Sequence, residues 1–147
     1  MYDLHMQNYR CLFTNELGFG MKGSKLHMIL PSNYVVAGDF ENGDGTGGHS
    51  IYKDEEGKFN AFHAENSKLK HIGPGIVSSV APEKSEHTSH FMITLSRAPL
   101  LDGKYVVFGN VIEGFDVLEK LQQFGDWKGV PKSDVRIKDS GQLVLTH

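Results

Sequence analysis

The chain has 147 residues, 39% hydrophobic and 22% charged, with a formal net charge of -3. That length suits one domain over residues 1–147 with a sizeable core, and the composition excludes a disordered chain. The balance of charge gives no electrostatic drive toward nucleic acid or an acidic membrane, and the nearest basic group, Lys68, Lys70 and His71, reads as a solvated loop.

The chain opens with an amphipathic helix over residues 4–14, carrying Leu4, Cys11, Leu12 and Phe13 among polar residues. Gly18, Gly20 and Gly23 then make a loop. Between Lys25 and Phe40 the apolar residues form two short strands, separated by the turn signal Pro31-Ser32-Asn33. A Gly/Asp/Asn loop covers 41–48, Ser50-Ile51-Tyr52 is extended, and a polar tract runs from Lys53 to Lys70. Strands are expected at Gly75–Ala81, Phe91–Leu95 and Tyr105–Asn110. A helix is expected from Phe115 to Phe124, with Gly125 as its C′ glycine, and short strands at Asp134–Lys138 and Leu143–Leu145. Many short strands with few helices predict a mainly-β barrel or sandwich without internal repeat or linker.

Cys11 is the single cysteine, so no internal disulfide can form, and its apolar neighbours make it a small core residue in a reducing compartment. No basic start followed by an apolar run marks a signal peptide, and no stretch reaches the roughly 18 apolar residues of a membrane span. The expectation is an intracellular, cytoplasmic chain without membrane insertion.

Several motifs resemble chemistry and fail on context. Gly43-Asp44-Gly45-Thr46-Gly47-Gly48 satisfies G-x-G-x-x-G, but acidic residues precede it and an extended segment follows, where a dinucleotide site needs a strand and then a helix. As a calcium loop counted from Asn42 it places Lys53 where the bidentate Glu belongs. His87-x-x-His90 is the best metal pair but lacks further ligands, so neither metal nor cofactor is expected. No Gly-x-Ser-x-Gly elbow exists, and Ser78-Ser79 inside an apolar strand offers a nucleophile poor access.

A stronger signal is collinear similarity. Met21–Ser24, Ala37–Phe40, Thr46–Tyr52, Ala64–Asn66, Lys70–Ile76, Ser89–Thr94, Leu101–Gly109, Val111–Val117 and Asp139–Leu143 together resemble the cyclophilins over roughly residues 7 to 143. The resemblance implies a closed eight-stranded antiparallel barrel capped by two helices. It also implies proline-isomerase (rotamase) ancestry, with a protein or peptide as partner and no nucleic acid. Met1 falls near the start of the first helix, so the first two strands of the barrel are expected to be missing, with a partner strand covering that edge.

The same resemblance puts the activity in question. Rotation about an X–Pro bond faces a barrier near 20 kcal/mol. In the family an arginine following a histidine donates to the prolyl nitrogen. Here His27 is kept and Met28 replaces the arginine. A thioether donates no hydrogen bond, and losing one preorganised donor costs about 10²–10³ in rate. The family's groove positions fall on Asn33, Tyr34, Val36, Val80, Ala81, His90, Met92, Leu100, Leu101 and Tyr105, and among these only Leu101 keeps the family residue. The reading is a degenerate isomerase site on a domain used for protein interaction or as a structural subunit. The alternative is a weakly active isomerase or folding chaperone.

Overall fold

The computed structural model describes residues 4–63, 68–81 and 86–144. Helix α1 spans Leu4–Thr14 and buries His5, Asn8, Tyr9 and Leu12, the i, i+3, i+4, i+7 stripe of one helix face. Its buried Asn8 is satisfied on both ends of the amide. It donates to the Thr88 carbonyl at 2.8 Å and accepts from the Ile51 N–H at 2.9 Å. Cys11 is buried as expected, which pushes its thiol pKa up.

Strands β1 (Leu26–Leu30) and β2 (Tyr34–Ala37) form a tight antiparallel pair around Pro31-Ser32-Asn33. Ser32 takes φ 66 there and the Asn33 N–H closes the turn on the Leu30 carbonyl at 3.1 Å. Strands β3 (Phe62–His63), β4 (Ile76–Ser79), β5 (Glu86–His87), β6 (Phe91–Thr94) and β7 (Val106–Asn110) follow. Helix α2 covers Phe115–Leu121, with a 3-10 turn at Gln122–Phe124. All pairings are antiparallel: one sheet in the order β1-β2-β6-β4-β7 and a two-stranded ribbon, β3-β5. The described residues are therefore mainly β with two α-helices.

Tyr9, Leu12, Met21, Ala37 and Phe91 form the core. Tyr9 stacks on Phe108 with ring centroids 4.2 Å apart, and Phe13 meets Phe91 edge-on at 5.2 Å. Full burial of a side chain such as Leu12 stabilises the fold by about 1.5–3 kcal/mol.

Four local expectations need correction. The polar tract 53–70 contains β3, which pairs with β5. Both strands are two residues long, too short for a period-2 pattern to show. Gly125 is extended (φ -116, ψ 149) and not left-handed. It is glycine because a Cβ there would collide with the Ile29 carbonyl of β1. Asp134–Lys138 forms no named strand. It lies along the chain before β1 through the bonds Leu26 N–H to Val135 and Ile137 N–H to Ser24, each 2.9 Å. Leu143 and Val144 lie in no strand among the described residues and are 93% and 81% exposed. Leu145 and the Ala64-Glu65-Asn66 block lie outside the described residues, apart from Lys68 onward in that tract.

Candidate functional site

Antiparallel register places several of the candidate residues in one line across the sheet. Met28 pairs with Val36, Val36 with Met92, Met92 with Ser78, and Ser78 with Val107. Because side chains alternate, the neighbouring row (Ile29, Val35, Ile93, Val77) faces the other way. Val36 and Met92 are buried and Met28 half-buried. Gly129 packs over Met28: a Cβ at 129 would lie 3.0 Å from Met28 Cγ, and its φ of +88 already favours glycine. The Gly129 carbonyl accepts from the Ile29 N–H at 2.9 Å, which holds this loop on β1. Beside it Trp127 is 80% exposed, with Lys128 Nζ 5.0 Å from the ring centre. The loop's contribution to the row was invisible in the sequence, since a hundred residues separate Met28 from Lys128 and no local pattern joins them.

Two smaller groups flank the row. Tyr34 and Tyr105 lie close enough to interact, and burial followed by the Tyr105 phenol raises the Tyr34 pKa. The Tyr105 N–H is bonded to the Leu101 carbonyl at 3.2 Å, which brings the turn Pro99–Leu101 to that end. On the other side, the rings of His27 and His90 lie 5.3 Å apart. His90 Nε2 donates to the Gly47 carbonyl at 2.7 Å, and its carbonyl accepts from the Val80 N–H at 3.0 Å. His27 Nδ1 is buried without a hydrogen-bond partner, and desolvation followed by His90 lowers its pKa. Ala81 continues the chain from Val80. Asn33 is exposed and spends its amide on the Pro31 carbonyl at 3.0 Å, while Leu100 is 84% exposed. Among the described residues, neither side chain hydrogen-bonds into the row.

Ser78, in the same row, belongs to a buried Ser-His-Asp relay. His71 donates from Nδ1 to Asp102 Oδ1 at 2.9 Å, and Ser78 Oγ donates to His71 Nε2 at 3.0 Å. The His71 N–H adds a second bond to the same carboxylate oxygen at 2.7 Å. These two bonds, the backbone one first, hold the Asp102 pKa below its ordinary value. Ser78 and His71 are wholly buried, so no substrate carbonyl can reach Oγ. The relay ties the 101–105 turn to β4. Asp102 lies 31 residues from His71 in sequence, so spacing alone could not have joined them.

The glycine loop is likewise structural. Burial opposes the charge on Asp39, yet its carboxylate accepts from the N–H groups of Glu41, Asn42, Asp44, Gly45 and Gly47 at 2.9–3.2 Å, and these bonds hold its pKa far below the ordinary carboxylate range. Backbone donors that would cradle a phosphate are thus spent on the chain's own carboxylate. His87 and His90 do not converge on a metal, and no group of three or more His, Cys, Asp or Glu side chains able to hold one occurs among the described residues.

Compared with known families, residues 3–142 match the model of the cyclophilin type peptidyl-prolyl cis-trans isomerase/CLD family. The chain belongs to the cyclophilins. That match runs through α1, every strand and α2, so the cyclophilin assignment rests on the whole fold rather than on one motif. Cyclophilin membership gives ancestry and architecture. Activity has to be argued from the groove. Among the described residues no helix is long and apolar enough to cross a membrane.

Proposed function

We propose that this cyclophilin domain, one unit over residues 1–147, works as a protein-binding or structural subunit whose isomerase groove is idle. The groove is read as the row Met28–Val36–Met92 with Tyr34, Tyr105 and Leu101 at one end and His27, His90, Val80 and Ala81 at the other. Asn33 and Leu100 belong to its rim. The sheet is read as the larger part of a barrel. Its working place is the cytoplasm, and its partner is protein rather than nucleic acid.

The observation that carries this reading is the chemistry of the central row: two thioethers and a valine, side by side, with no donor among them. An X–Pro bond laid along that row meets the half-buried Met28, with Val36 and Met92 buried beside it, and finds nothing that stabilises a pyramidal prolyl nitrogen. Binding without such stabilisation does not accelerate the rotation. His27 offers a donor only with its other nitrogen, and its lowered pKa keeps the ring neutral at pH 7.

A protease-coupled or NMR exchange assay on an X–Pro peptide tests the proposal. The expected rate enhancement is at least about 100-fold below that of an active cyclophilin assayed alongside. Turnover at the level of the active relative overturns it and supports the alternative, an isomerase or folding chaperone.

A further inference from the structure

Trp127 is the single tryptophan of the chain, and it stands 80% exposed with Val130, 56% exposed, three residues on. An indole left in water is an uncommon use of so large an apolar side chain. The turn that carries it is held from several directions. Asp126 Oδ1 accepts from the N–H groups of Lys128 at 2.9 Å and Val130 at 2.8 Å. The Gly129 N–H donates to the Asp126 carbonyl and the Asp126 N–H to the Val130 carbonyl, each at 3.0 Å. The bond from the Ile29 N–H to the Gly129 carbonyl then fixes the turn to β1, beside Met28. Trp127 is therefore exposed on a stiff mount, which lowers the ordering cost of binding through it.

Charge along this segment is one-sided. Asp126 spends its carboxylate on the turn, and Asp134 pairs with Arg136 at 3.1 Å. Lys128 and Lys132 have no carboxylate partner among the described residues. Lys128 Nζ lies over the indole, 5.0 Å from its centre. In a chain of net charge -3, residues 126–136 thus offer an indole and two unpaired ammonium groups, with both of their carboxylates already committed.

We infer that Trp127, with Val130 and Lys128, anchors an acidic segment of a partner protein, one apolar side chain of which covers the indole while a carboxylate pairs with Lys128. The inference rests on the proposed role as a protein-binding subunit and names the surface and the chemistry of the partner. A basic segment brings like charges together over the ring. A purely apolar segment leaves the Lys128 ammonium desolvated without a partner. A second copy meeting this one turn to turn sets lysine against lysine. An acidic segment with apolar residues between its carboxylates meets both demands, and a buried tryptophan edged by complementary charge is the usual centre of a protein interface.

Because the chain has one indole, tryptophan emission reports on this site alone. The probe is a pool of octapeptides in which Asp or Glu alternates with Leu, Phe or Pro, and the control pool carries Lys or Arg in place of the acids. The full chain is titrated with each, following the emission wavelength and quenching by acrylamide. The acidic pool is expected to shift emission to the blue, shield the indole from acrylamide and bind at least about 10-fold more tightly than the control. High salt should weaken that binding. Lys128→Glu should lower the affinity about 10-fold, and Trp127→Ala should abolish binding as read by calorimetry, each with an unchanged melt because both side chains are exposed. The proposal is overturned by no response to the acidic pool or by an equal response to the two pools. It is also overturned if phosphatidylserine vesicles shift the emission and the acidic pool does not, which would make the turn a membrane contact. An X–Pro turnover assay run alongside separates the two readings. A silent groove with no response at Trp127 removes the anchor alone. Family-level turnover removes the idle groove and leaves the anchor standing.

Discussion

Val36 lies in β2 and Asp39 three residues on, in the loop that follows it; both are buried, yet their surroundings follow opposite rules. Around Asp39 five backbone N–H groups converge on one carboxylate. On either side of Val36 in its row stand Met28 and Met92, whose thioethers donate no hydrogen bond. The relay Asp102–His71–Ser78 and the bridge of Ser79 Oγ between Tyr9 (2.8 Å) and His87 (2.6 Å) follow the Asp39 pattern. In this chain, then, buried polar side chains are spent on holding loops and strands to one another. The surface where its family does chemistry has been left to packing. A fold can persist in that state because stability and catalysis draw on different residues.

The largest test of this contrast is Asp39→Ala. It strands five amides in a partly buried loop, and a loss of about 3–5 kcal/mol is expected from urea denaturation at pH 7. A variant within about 1 kcal/mol of the parent would mean that water replaces the carboxylate and that the contrast is superficial.

A smaller effect is expected from pH. Desolvation, followed by the neighbouring His5 and His63, lowers the His87 pKa to about 4. In the unfolded chain the imidazole takes up its proton near the ordinary value of about 6.5. Between those values the unfolded state binds more protons, so stability holds above about pH 6.5 and declines as pH falls toward 4. The His87 contribution to that decline is on the order of 2 kcal/mol. His87→Gln should flatten the slope of Tm against pH over that window. An unchanged slope would place the sensitivity elsewhere.

The smallest expected change comes from restoring charge to the row. Met28→Arg should destabilise by about 1 kcal/mol at this half-buried site under Gly129. It should raise isomerase turnover less than about 10-fold, because Asn33, Val36 and Met92 still shape the groove. Full recovery in the coupled assay would show that a single donor separates this domain from an active one, and would break the comparison from the groove side.

Sequence by itself determined a good deal here. Leu4, Cys11, Leu12 and Phe13 among polar residues and the punctuation at Pro31-Ser32-Asn33 report local rules of helix amphipathicity and turn chemistry, so α1 and the β1–β2 hairpin were legible without any fold, while the burial of His5 and Asn8 on the helix face was not. Long strings such as Leu101–Gly109 carried the family. Met28, Val36 and Met92 were identified one by one through that similarity, but their alignment into a single row came only from strand register. Other features depended wholly on tertiary structure. Gly125 looked like a helix terminator and proved to be a point of contact with Ile29. His71, Ser78 and Asp102 form a relay across 31 residues, and Gly129 covers Met28 from a loop a hundred residues downstream. Of the expected Leu143–Leu145 strand, Leu143 and Val144 lie in no strand for the converse reason: their apolar pattern was sound, but a strand exists only when a neighbour accepts its hydrogen bonds, and they find none within the described residues. Helix period and turn chemistry are properties of adjacent residues. Register, burial and a completed hydrogen-bond edge belong to pairs that only the folded chain brings together.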